Sequence, residues 1–235
     1  MKQPTLLALA LTLGLIAGAA QAGTVQITIT DQAGKPAADV VVLVDPANKV
    51  APTAAAKPVV IGQKNSRFDP FLTVVPAGST LRFVNRDGYD HHVRSTPSGP
   101  LASMPSVKNF ELRLDAVESA SAGGYDPYAP TPTTTRKKSG STWAEVKVDQ
   151  AGPIGLGCHL HSSMRGQVYV SGTPWFAKTD ANGVAKLEGV PEGAIEINVW
   201  HPDQLAEQPT LRLQATAAPL AAGAQLNFTP RQRRP

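Results

Sequence analysis

The sequence predicts an all-β chain built as two sandwich-like units, and three observations point that way. Turn-forming residues are abundant, apolar and polar residues alternate along several segments, and no amphipathic helical pattern appears beyond the first 22 residues. The 235 residues include 20 Gly and 21 Pro, which interrupt helices and favour turns. Hydrophobic residues make up 42%, enough to core one large or two small domains.

Taken in order, residues 1–22 have the layout of a secretory signal peptide. Lys2 supplies a positive start, Leu6 to Ala20 is a nearly unbroken apolar run, and Ala20-Gln21-Ala22 is a small-x-small cleavage site. The run is short for a bilayer span. The expectation is cleavage after Ala22, export to the periplasm, and no stable membrane insertion of the mature chain.

Val25, Ile27 and Ile29 alternate with Gln26, Thr28 and Thr30, the period of a half-buried strand. Asp31 to Pro36 reads as a turn, and Val40 to Val44 as a second, more buried strand. Residues 46–58, rich in Ala and Pro, read as a linker. Strand signals resume from Val59, through Phe71 to Val75, the turn Pro76-Ala77-Gly78, and Leu81 to Val84.

Residues 101–142 read as a long insertion holding one strand, Phe110 to Leu114, before a stretch rich in Ser, Gly, Pro and Thr. Strands are expected again at Trp143 to Val148 and Gly166 to Val170. The last third gives a turn at Asp180 to Gly183, a strand at Val184 to Leu187, and a turn at Pro191 to Gly193. Further strands are expected at Ile195 to Val199, around Leu211 and Leu213, and around Leu226 and Phe228.

The formal charge of +4 overstates the basicity of the core. Lys2 would leave with the signal, and six more cations sit in two segments that read as a solvated loop and a solvated tail: Arg136, Lys137, Lys138, and Arg231, Arg233, Arg234. Without them 15 cations face 18 carboxylates. No basic stripe for nucleic acid remains.

Chemistry concentrates around the single cysteine. One thiol excludes an intramolecular disulfide, a four-thiolate iron–sulfur cluster and an all-cysteine zinc site. Cys158 lies in Gly157-Cys158-His159-Leu160-His161-Ser162-Ser163-Met164, beside two of only five histidines. A thiolate, imidazoles and a thioether are the donors that suit copper cycling between Cu(I) and Cu(II). Cys158, His161 and Met164 fit one ligand loop between two strands, and Asp90-His91-His92-Val93 is the segment able to supply a further imidazole. Met104 reads as packing, and His201 as structural or surface.

These residues resemble the cupredoxins, the type 1 blue-copper proteins of plastocyanin and amicyanin kind. The resemblance runs from Val59 to Val170. It covers Phe68-Asp69-Pro70, the run Val74 to Asp87, the His-x-Val element at His91, and Cys-x-x-His-x-x-Met followed by Arg165 to Val170. It implies a Greek-key β-sandwich or barrel holding one copper through His91, Cys158, His161 and Met164. His92 and His159 are secondary candidates. Alternation supports His91, because His91 and Val93 would share a strand face that His92 does not. Two departures stand out: His92 takes the place where an Asn commonly ties the ligand loops, and ligands 91 and 158 are far apart in sequence. Gly157, where a multicopper oxidase has a further histidine, argues against trinuclear chemistry.

The flanks resemble a carboxypeptidase-regulatory, or transthyretin-like, β-sandwich, through Gly34-Lys35-Pro36, Thr179 to Gly183 and Val190 to Gly193. The expected organisation is therefore signal 1–22, sandwich strands 23–58, cupredoxin unit 59–171, and the rest of the sandwich in 172–235. The expected function is a periplasmic one-electron carrier with a transient redox partner protein, in amine (methylamine-utilisation type) or other oxidative metabolism, and no catalytic residues. Copper storage or delivery, and a non-metal scaffold, are the alternatives. No nucleophile elbow, HExxH helix or paired-carboxylate motif supports an enzyme.

Overall fold

The alternating N-terminal segment forms strand β1 (Ala22–Thr30), and the computed structural model, which describes residues 22–117 and 141–231, is all-β as the sequence predicts. The other strands are β2 (Val41–Pro46), β3 (Val59–Lys64), β4 (Arg67–Asp69), β5 (Leu72–Pro76), β6 (Ser79–Asn85), β7 (His91–Thr96) and β8 (Glu111–Leu114). They are followed by β9 (Trp143–Val148), β10 (Gly152–Cys158), β11 (Arg165–Ser171) and β12 (Trp175–Lys178). The chain ends with β13 (Val184–Pro191), β14 (Gly193–Trp200), β15 (Leu211–Ala215) and β16 (Leu220–Gln225). Among the described residues there is one 3-10 turn, Pro100–Ala102, and no α-helix. No helix among them is long and apolar enough to cross a membrane.

The sheets sort by chain segment. Sheets β13-β1-β16 and β12-β2-β14-β15 combine the two ends of the chain and enclose one apolar cluster, including Ile27, Val42, Leu187 and Ile197. Sheets β5-β11-β10-β7-β8 and β4-β3-β6-β9 come wholly from residues 59–171 and enclose another, including Phe83, Val93, Leu156 and Val168. The candidate ligands belong to this second pair.

Strand β2 shows why Val40 to Val44 reads as more buried than β1. Val42 and Val44 enter the first cluster, while Val41 and Leu43 enter a third with Leu72 and Trp200. Both faces of the strand are covered, so its apolar residues run on without alternating. The third cluster is where the two sheet pairs meet. There the Trp200 ring packs 4.9 Å from Tyr169, and Trp200 Nε1 donates to Met104 Sδ at 3.3 Å, which makes Met104 a packing residue.

The expected turns form for identifiable reasons. Asp31 Oδ1 accepts the N–H groups of Ala33 and Lys35, and Gly34 follows at φ 78°. At the second turn Asp180 Oδ1 accepts from Asn182 and Val184. Gly183, at φ 74°, has no room for a side chain, since a Cβ would lie 2.3 Å from the Ile29 carbonyl oxygen.

Three features differ from the sequence reading. The ligand loop does not follow β9 directly, because β10 intervenes and ends at Cys158. Its Gly152, Pro153, Gly155 and Gly157 look like loop residues. Yet β10 is an interior strand between β11 and β7, and a Cβ at Gly155 would lie 2.5 Å from the Pro97 carbonyl oxygen. Close backbone approach, not turning, accounts for that glycine. The last strand spans Leu220–Gln225, so Leu226 and Phe228 lie just beyond it, with Leu226 still buried. Arg231, expected as part of a solvated tail, pairs with Asp203 at 3.0 Å. Residues 1–21 of the expected signal peptide 1–22, most of the 101–142 insertion from residue 118, the cations 136–138, and Arg233 and Arg234 lie outside the described residues.

Burial, then the Asp45 and Glu207 charges, push the Tyr169 phenol up to about 12. The neutral phenol is thus favoured in the folded chain. Its contribution to stability should be complete below pH ~10, where the unfolded phenol titrates, and fade as pH rises toward about 12. Denaturant unfolding at pH 8 and pH 11 should reveal a loss of about 1 kcal/mol that Tyr169→Phe reduces. Equal losses in both proteins would contradict this account of the junction.

Candidate metal centre

The antiparallel ladder between β10 and β7 sets Cys158 opposite Val93 and Gly157 opposite Arg94. Two positions along β7, on the face of Val93, lies His91. His91 is 1% exposed and Cys158 2% exposed, whereas His92 is only partly covered. The period-two argument for His91 therefore matches the side-chain placement. Cys158 ends β10, and the chain turns back through His161 to Met164, whose N–H donates to the His161 carbonyl at 3.0 Å. This turn returns His161 to the thiol.

Both imidazoles present Nδ1 to the sulfur. Cys158 Sγ lies 3.7 Å from His91 Nδ1 and 3.5 Å from His161 Nδ1. The three donor atoms all fall within 4.8 Å of one another, and the two rings are 4.8 Å apart between centroids. Met164, 1% exposed, belongs to the same apolar cluster as Cys158. The Tyr89 ring packs 5.3 Å from His91 and 5.1 Å from His161, and its hydroxyl lies 2.9 Å from Ser66 Oγ. Two nitrogens and one thiol converging from two segments offer a soft, largely dry cage to a borderline or soft metal ion.

The support behind this cage is polar and buried. His91 Nε2 lies 2.8 Å from Asp87 Oδ2, which leaves Nδ1 for the sulfur side. Asp87 also accepts the N–H groups of Asn65 (2.7 Å) and Ser66 (3.2 Å). Burial alone would raise the Asp87 carboxyl, but the hydrogen bonds from His91, Asn65 and Ser66 outweigh it and hold the group below the usual carboxylate value. At His91 burial dominates and holds the imidazole below its ordinary value, although Asp87 pulls the other way. A neutral imidazole beside a charged carboxylate is the protonation state a metal ligand requires.

Asn85 anchors the loop that carries Asp87. Its side-chain amide donates to the carbonyls of Tyr89 and Asp115, each at 2.8 Å, and its Oδ1 accepts the Asp87 N–H at 2.8 Å. The His92 N–H points at Cys158 Sγ from 3.4 Å, and the His159 N–H donates to the His92 carbonyl at 2.9 Å. The two candidate ligand segments are thus joined through backbone N–H groups.

His92 and His159, the secondary candidates, do not join the thiol. They gather with Glu111 in a separate, more exposed group. His201 is buried among strands of the other sheet pair, where its Nδ1 accepts the Asp203 N–H at 3.0 Å. Sequence reasoning assigned no role to Asp87, Asn85, Tyr89 or Glu111. Asp87 and Asn85 lie within the matched run Val74 to Asp87, but nothing in their spacing shows which groups they hold.

No known protein family profile matches the chain, and a comparison with curated proteins finds no match. Solved structures similar to it include the following three. The Cu-containing nitrite reductase (NirK) from Thermus scotoductus SA-01 shares 18% identity at TM-score 0.34, over 54% of this chain, and the chain spans 25% of its length. A novel purple cupredoxin from Nitrosopumilus maritimus shares 16% identity at TM-score 0.32, over 48% of this chain and 99% of its own. Amicyanin from Paracoccus versutus shares 17% identity at TM-score 0.31, over 55% of this chain and 97% of its own.

Proposed function

We propose that the mature chain is a periplasmic type 1 copper protein that carries single electrons, holding one copper ion through His91, Cys158, His161 and Met164. The observation that supports this reading most is the buried Cys158 thiol with an imidazole Nδ1 on each side, at 3.7 and 3.5 Å. When bound, copper would supply a one-electron couple, and a thiolate, two imidazoles and a thioether are donors that suit both of its oxidation states. The protein's part is to keep the donors in place, so that little has to move when the charge changes.

Each residue has a definable task in that reading. Asp87 fixes the His91 tautomer and ring plane through Nε2. The His92 N–H draws charge from the thiolate. Phe83, Leu156 and Val93 exclude water from the inner side. His161 is only half-buried and has Leu160, 57% exposed, beside it. A redox partner protein would meet the centre at that edge, through a small and transient contact.

We further propose that residues 59–171 form the copper-binding unit and that the flanks form a carboxypeptidase-regulatory-like sandwich. Oxidative amine metabolism is the context proposed for the electron carrier, and no substrate site is assigned. Copper storage or delivery is the second reading, favoured by the extra imidazoles of His92 and His159 within reach of the ligand loops.

One equivalent of Cu(II) added to the metal-free chain should produce an intense visible thiolate-to-copper band that Cys158→Ser abolishes. A pale tetragonal spectrum would sink the electron-carrier reading and favour storage, and no copper uptake would leave only a scaffold. Asp87→Ala should retain the band but weaken copper binding about 10- to 100-fold, as measured by competition with a chelator. Unchanged affinity would remove Asp87 from the account.

A further inference from the structure

We propose that His92, Glu111 and His159 form a second metal site, open to solvent, for a divalent transition-metal ion of the zinc and copper class. Three adjacent strands build it. His92 is on the outer face of β7, opposite to His91. The β7–β8 ladder pairs Arg94 with Glu111 and His92 with Arg113, so Glu111 is the diagonal neighbour of His92 on that same face. His159 follows the end of β10, and its N–H bond to the His92 carbonyl draws it alongside.

The donor geometry suits a cation. Glu111 Oε1 lies 3.1 Å from His92 Nε2 and 3.4 Å from His159 Nδ1. The two imidazoles stack with centroids 5.4 Å apart and planes 24° apart, and all three donors fall within 4.8 Å of one another. Ligand atoms about 2.0–2.2 Å from a shared tetrahedral ion stand roughly 3.3–3.5 Å from each other, so the ion needs only small side-chain adjustments. Two imidazoles and one carboxylate leave further coordination positions for water.

The surroundings select the kind of ion. Arg94 and Arg113 sit directly across the ladder from Glu111 and His92. Their charge disfavours a hard ion held by carboxylate attraction alone, such as calcium or magnesium. Nitrogen coordination then supplies the affinity, which favours ions late in the first transition row. A bare imidazole–carboxylate cluster is the competing description. It predicts no binding at all.

The site does not depend on copper at Cys158, and zinc titration of the metal-free full chain by calorimetry can count the two separately. Glu111→Ala should bind one zinc fewer than the unaltered chain, and the same loss should recur in the Cys158→Ala background. If the buried centre takes no metal, the unaltered chain binds one zinc and Glu111→Ala none, which still supports this site. Glu145→Ala, an exposed control on β9, should bind as the unaltered chain does. Zinc should also shift the imidazole nitrogen resonances of His92 and His159 in the intact chain. Equal zinc counts with and without Glu111, or unmoved resonances, would overturn the proposal.

Discussion

The register of β7 against β10 is the constraint on which the rest of the site depends. With Cys158 facing Val93, the strand period places His91 beside the thiol on the inner face and His92 on the outer one. A slip of one residue would exchange them. The inner trio would lose His91 and its bond to Asp87, and the outer group would lose His92, to which Glu111 and His159 both relate. One ladder thus builds two donor clusters of opposite character, one dry and one wet.

Holding that register requires more than strand pairing. β10 lies between β11 and β7 with little side-chain bulk of its own, and its glycines allow the Thr96–Pro97 backbone to come close. Apolar packing by Ile154 and Leu156 keeps it in place from the inside. On the loop side, the buried Asn85 and Asp87 side chains bind backbone groups from three segments. Asp87 also binds His91, so the polar network holds the His91 ring by the same residues that hold the loop. The cage and the loop share one support.

How much of this was legible in the sequence follows from which physics is local. Alternation is local, so β1, β6 and the placement of His91 on the buried face with Val93 were readable. The dense donor set around Cys158 was readable as well, because ligand chemistry is a property of residue type. β10 was not, since its glycines answer to a neighbouring strand that no sequence window contains. Glu111 was hidden for the same reason: its meaning comes from a diagonal neighbour on the adjacent strand 19 positions earlier, His92, and from a turn 48 positions later, His159. The buried run of β2 was visible, but not that a second sheet pair covers its other face.

The central claim is that Cys158 and two imidazoles bind copper together in the buried cage. Copper K-edge X-ray absorption of the full chain loaded with one equivalent tests it most directly. The account predicts one short copper–sulfur bond and two copper–nitrogen bonds, with the sulfur bond absent in Cys158→Ser. A shell of nitrogen and oxygen alone, identical in both proteins, would contradict it and place the metal on the outer histidines instead.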